Sequence, residues 1–336
     1  HWEGGLSIGL GAITRYNSNG TYPWEGAYPA SNNYQTHFTD VMYNSVDGYY
    51  YTCGYDQDGG TNAMIAKFTS GTSSASQGSP ASEFNFQMDH ASTFRFHQMA
   101  HDSSGNVFVV GTAYSSPRKI VLIKFNDSLT VQAQKEIYSS TSTDQLEACV
   151  HITVDSNDNV IIAATHDYNN ASDRIGSNST NNGDAVIMSF SNDLSTRNWH
   201  SVFGSELYRT DLNNGYSGAT EGKRLMADNN GSFYLCGSKQ HLVSGSTKLR
   251  FFIAKLPTDG SLIDVLKDSD AVGPTSNQYE WRTATATRTV GTFTDAGTSN
   301  TTILNVNTFN YTQDSSINSN FAPLDETQTD QITYTI

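Results

Sequence analysis

Apolar and aromatic residues along the chain come in short paired runs, each bounded by polar turn clusters. The first pair is DGYYYTCG (Asp47 to Gly54) with AMIAKF (Ala63 to Phe68), and the second is DSSGNVFVVG (Asp102 to Gly111) with IVLIKF (Ile120 to Phe125). The third joins DSNDNVIIAA (Asp155 to Ala164) to AVIMSF (Ala185 to Phe190), and the fourth joins DNNGSFYLCG (Asp228 to Gly237) to RFFIAKL (Arg250 to Leu256). Short runs rich in β-branched and aromatic residues, flanked by Gly, Asn, Asp and Ser, predict strands, and no useful length of chain keeps a helical period. Tyr50, Val107, Val160 and Phe233 form one column of the repeat, and Tyr51, Phe108, Ile161 and Tyr234 the next. Adjacent strand positions point to opposite faces, so apolar residues in both columns predict burial on both faces.

The period settles the expected architecture. Phe68, Phe125, Phe190 and Leu256 close their runs and stand 57, 65 and 66 positions apart by subtraction. That is too long for the helical and leucine-rich repeats and fits a four-stranded β-propeller blade with variable loops. An AITRY strand (Ala12 to Tyr16) has no partner strand ahead of it. It is expected to close the ring by joining strands from Gly260 to Thr292, which gives five blades, with six or seven as alternatives. The expected fold class is therefore all-β, a propeller over residues 1–291, followed by an extended Thr/Asn-rich tail over 292–336 that links to a neighbouring subunit or domain.

Composition narrows the partners. The formal charge of −14 on 336 residues argues against nucleic acid and against an anionic membrane, since both repel an acidic surface. No apolar run is long enough for a transmembrane helix. Cys53 and Cys236 share a column next to the closing glycine, where Val110 and Ala163 stand in other copies, so they read as small core residues; with Cys149 the count is odd.

Four features invite chemistry. A column of Arg15, Lys67, Lys124 and Lys255, with Ser189 in the remaining copy, suits an anionic glycan or a neighbouring subunit, while the plainer reading is an outward strand position whose charges stay in water. The acidic turns Asp155 to Asn159 and Asp56 to Asn62 offer oxygen ligands but lack the full calcium-loop pattern, so they read as turns. His97 and His101, four apart on a strand, are too far separated for one zinc, and His151 shares a column with Val41, Gln98 and Arg224. Trp24 and Trp199 are expected to start outer strands and pack in the core. The sequence thus assigns no catalytic, cofactor-binding or metal-ligating residue, implies no cofactor, and leaves the binding residues unnamed.

The D-x-x-G-N-V-x-V-x-G string followed by I-x-x-K-F and a turn resembles the bacterial β-propeller repeat known as the SBBP repeat, and is similar to propeller segments of marine bacteriophage tail and fibre proteins. Asp102 to Gly111 and Asp228 to Gly237 carry most of the resemblance, whereas Asp47 is offset from the aspartates of the other copies. It implies a non-enzymatic virion component, a tail fibre, spike or decoration protein, located on the virion or outside the cell. Expected partners are other virion or assembly subunits in a homo-oligomeric arrangement and a host surface glycan. The alternative is an extracellular bacterial or filament-associated binding module. A propeller glycan hydrolase or lyase ranks below both, as the chain has no catalytic motif.

Overall fold

A computed structural model describes residues 11–15, 24–28, 36–56, 62–68, 80–88, 93–114, 118–139, 145–167, 183–205, 210–211, 225–228, 230–243, 246–261, 265–267, 278–283, 293–296 and 304–307. All regular structure among them is β-strand, and every pairing is antiparallel. β1 (Gly11–Arg15) and β2 (Trp24–Tyr28) form a hairpin. Three meanders follow: β3 (Thr36–Asn44), β4 (Tyr49–Asp56), β5 (Asn62–Phe68) and β6 (Pro80–Met88); β7 (Phe94–His101), β8 (Val107–Ala113), β9 (Lys119–Phe125) and β10 (Val131–Ser139); then β11 (Gln145–Val154), β12 (Val160–Asp167), β13 (Gly183–Phe190) and β14 (Arg197–Ser205). In a further sheet, β15 (Thr210–Asp211) and β16 (Leu225–Ala227) pair with the same edge of β17 (Ser232–Val243), whose other edge takes β18 (Ser246–Pro257).

Each paired run of the sequence supplies the second and third strands of one meander, so the repeat marks the middle of each sheet. In the second and third meanders those strands are buried on both faces: β8 is buried throughout, and Val160, Ile161, Ile162 and Ala163 of β12 are equally enclosed. In the last sheet the expectation fails, since Phe233, Leu235, Ala254 and Leu256 are buried while Tyr234 and Ile253, on the other face, are exposed. Successive meanders share cores. Tyr51 and Ile65 of the first pack with Phe96, Val109 and Ile123 of the second. Phe108 and Leu122 of the second pack with Ile152, Ile162 and Met188 of the third, and Ile161 and Ile187 of the third with Phe233 and Leu256 beyond. Ile13 of the hairpin meets Ala66 and Phe68, completing a face-to-face stack in chain order. Burial of this many large apolar side chains, at about 1.5–3 kcal/mol each, is the dominant stabilising term.

The last strands depart from the expected arrangement. β19 (Val265–Lys267) pairs with β20 (Gln278–Thr283), and β20 pairs with β14, whereas the described pairing of β1 is with β2. β19 and β20 thus extend the third meander rather than joining the N-terminal strand. The boundary expected at 291 falls just before β21 (Phe293–Ala296), which pairs with β10, and β22 (Leu304–Asn307) then pairs with β6. The physical reason is that each outer strand offers unpaired backbone N–H and C=O groups, and a polar extended segment satisfies them. β21 and β22 thus lie on the outer edges of the second and first meanders. Residues 308–336, including the strand-like QITYTI, lie outside the described residues.

Candidate functional site

One rim of the stack is formed by the turns that open β4, β8, β12 and β17, and it is saturated. Asp102 Oδ1 accepts the backbone N–H groups of Ser104 and Asn106 at 3.0 and 2.8 Å, and Asp155 and Asp228 treat their turns in the same way. Fixing the turn with one oxygen leaves the other facing the third strand. There the lysine column answers: Lys67 pairs with Asp47 at 3.0 Å, Lys124 with Asp102 at 3.8 Å and Lys255 with Asp228 at 3.3 Å. The side chains of Lys67 and Lys124 are only 11% and 12% exposed, so their charges do not stay in water as expected; Lys255, at 52%, does reach solvent. Each ammonium also stands over the aromatic ring directly across the ladder, Tyr51, Phe108 or Tyr234 at 5.3–5.4 Å. The copy with Ser189 in place of lysine has Ile161 opposite, so cation and ring are lost together.

Asp47 is offset because Asn44 holds the turn in the first meander. Its Oδ1 accepts the Val46 N–H at 3.1 Å and its amide donates to the Gly105 carbonyl of the next sheet at 2.9 Å. Other bonds also staple neighbouring sheets: Lys67 donates to the Asp127 carbonyl, Lys124 to the Asn192 amide oxygen, Asn192 to Asp102, and Ser103 to Asp158. With Lys67 and Lys124 paired and most of the described turn donors bonded internally, this rim holds the sheets in register. Of the two acidic loops, Asp155 to Asn159 is an ordinary turn, and the middle of Asp56 to Asn62 lies outside the described residues.

The opposite rim of the first two meanders is different. The inner strands β3 and β7 each carry a bulge, between Phe38 and Asp40 and between Phe96 and Gln98. The preceding carbonyl is thereby pressed onto the closing glycine of the repeat: a Cβ on Gly111 would meet the Arg95 carbonyl oxygen at 2.3 Å, and one on Gly54 would meet that of His37 at 1.8 Å. The repeat glycine therefore positions the residues that open this rim. His37 stacks on Tyr55 with ring centroids 4.7 Å apart. The Arg95 guanidinium, from the next sheet, stands 4.3 Å from the centre of the same Tyr55 ring and 5.5 Å from that of Tyr114, and Arg118 stands 5.1 Å from Tyr114. The result is a ladder of alternating cations and rings across two sheets. Burial and the nearby Arg95 charge both lower the pKa of His37. The Nε of Arg95 is buried with no hydrogen-bond acceptor among the described residues. These residues were not singled out by the sequence. The available signal was two arginines, in TFRF and SSPRK, the second just after Tyr114, and single sequence cannot tell that adjacent repeats bring them together.

Among the described residues, no group of three His, Cys, Asp or Glu side chains suited to a metal occurs. His97 is the bulge residue of β7; it is buried and its Nε2 lies 3.1 Å from the Thr112 hydroxyl. Burial, then the His151 and Arg95 charges, lower its pKa to about 3, so it is neutral at neutral pH. His101, at the other end of β7, has its Nδ1 3.0 Å from the Asp102 carbonyl. His151 is buried on β11. Trp199 packs on Phe233 and donates from Nε1 to the Thr258 carbonyl at 2.9 Å, a core role as expected. Trp24 begins β2. Cys53 is buried and Cys236 half-buried, and both are free thiols.

No family model and no curated protein matches the chain. Among solved structures, the crystal structure of polysaccharide lyase Uly1 is similar at 11% identity with a TM-score of 0.43, the alignment covering 74% of this chain and 66% of that one.

Proposed function

We propose that the chain is a non-enzymatic binding scaffold: a β-propeller whose sheets are its blades, carried on a virion as a tail fibre, spike or decoration protein, and binding a surface saccharide through one rim. Five sheets stacked in chain order, with cores between successive sheets, support the five-bladed reading. The observation that carries the binding role is the contrast between the two rims. One is closed by its own ion pairs and turn bonds, while the other brings His37, Tyr55, Arg95, Tyr114 and Arg118 together across two sheets. A rigid scaffold with polar and aromatic groups gathered at strand ends is how loop-bearing β folds present ligands with a site.

Binding of the full chain to an array of surface glycans tests the role, and immunogold labelling of the native source tests the setting. Retention of a glycan class that is lost in Tyr55→Ala and Tyr114→Ala supports the reading; a folded chain that retains no glycan overturns it. Label at repeated positions on virus particles supports the virion component, and label on cell envelopes or filaments moves the extracellular module to first place. A second reading, elimination on an acidic polysaccharide, is favoured by one observation: His37, with its pKa lowered, shares the Tyr55 ring with Arg95. Appearance of unsaturated sugar ends on incubation with polyuronate would establish it.

A further inference from the structure

Resting on that binding role, we infer that Arg95 and Arg118 form an oxyanion subsite, and that the ligand is an acidic saccharide whose carboxylate or sulfate is taken by the Arg95 guanidinium. Lys67, Lys119, Lys124 and Lys255 each have a carboxylate within 4 Å. Arg95 and Arg118 have no such pair among the described residues, although the chain holds 33 acidic against 19 basic residues. Two cations without a counter-charge among the described residues, both standing over the Tyr114 ring, set this rim apart from the other.

Ring faces of Tyr55 and Tyr114 flank the Arg95 guanidinium, and an aromatic face holds such a plane while leaving its N–H edge for a planar, two-oxygen partner. The Nε–H is buried and has no acceptor among the described residues. The terminal nitrogens are the edge left to a ligand, and a carboxylate or sulfate meeting both makes two charge-assisted bonds. The overall charge favours a saccharide over other anions. A net charge of −14 repels a densely charged polyanion at long range, so the site suits a polymer with its acid groups spaced by neutral units. Tyr55 and Tyr114 bring phenolic hydroxyls to the same rim, matching the neutral hydroxyls of such units.

The test is titration of the full chain with polygalacturonate, a sulfated galactan, the carboxyl-reduced and desulfated forms of each, and poly-glutamate. Binding of an acidic polymer is expected, with loss in its neutral form and weakening as salt rises. Arg95→Gln is expected to weaken it by roughly tenfold or more, and Arg95→Lys to restore only part, since the fork is gone. Arg118→Gln, at the edge of the ladder, gives a smaller loss and covers the case in which the Arg95 variant fails to fold. Lys255→Gln, on the other rim, is expected to bind as the parent does. Equal binding of acidic and neutral polymers, or unchanged affinity in both arginine variants, overturns the subsite and leaves the saccharide role intact. Binding of poly-glutamate in place of any saccharide overturns both. Preference between uronate and sulfate identifies the acid.

Discussion

Gly111 shows how much a single atom decides in this chain. The bulge that places Arg95 at the rim exists because the facing residue has no side chain, and a methyl group there would sit 2.3 Å from a backbone oxygen. Backbone cannot yield as a flexible side chain does, so Gly111→Ala is expected to destabilise the fold by about 2–4 kcal/mol, or to flatten the bulge and displace Arg95. Gly48 is the natural comparison. It has a φ of 77° but open space around it, so Gly48→Ala is expected to cost only about 1–2 kcal/mol, the strain of a left-handed residue. Urea denaturation of the two variants checks the difference; equal losses would mean that the close approach at Gly111 relaxes freely.

At the scale of the element, the turn and the third strand act as one unit. Burial pushes the Asp102 carboxyl up, but hydrogen bonds from Asn192 and Asn106 and the Lys124 charge outweigh it, leaving its pKa below the ordinary value. A carboxylate depressed in the folded state contributes stability that is complete above its unfolded pKa of about 3.9 and is lost as pH falls through the folded value. Asp102→Asn keeps an acceptor for the turn, as Asn44 does in the first meander, but leaves Lys124 without its carboxylate. It is expected to lower stability at pH 7 by about 1–3 kcal/mol and to flatten the fall in stability below about pH 4, read from urea midpoints across pH. Strand pairs and turns of this kind were legible in the sequence, because each repeat writes its own alternation and turn chemistry. The offset of Asp47 was visible there too, but the role of Asn44 was not: it depends on a turn one residue longer, seen only when Tyr43 is found opposite Tyr50. The rim ladder was illegible for a related reason, since it joins His37 and Tyr55 of one repeat to Arg95 of the next, and no local pattern records that neighbours' strand ends meet.

For the molecule as a whole, the consequential feature is the chain after Lys267. β20, β21 and β22 lie on β14, β10 and β6, so the three outer edges are covered in the reverse of the order in which they were made. An uncovered outer strand is a template for another chain, and three on one surface would multiply the hazard. The covering strands are short: β21 and β22 span only Phe293–Ala296 and Leu304–Asn307, and their register is set by the edges they pair with. Ending the chain at Gly291 removes β21 and β22 and leaves β20 in place as an internal control. Amide exchange is then expected to quicken in β6 and β10 but not in β14, and light scattering is expected to show association that grows with concentration. Faster exchange without association would mean that the side chains of the edges already prevent pairing, and the strap would then serve local order alone. Exchange unchanged in β6 and β10 would remove the strap from the account of stability altogether, and leave the cores between the sheets to hold the outer strands by themselves.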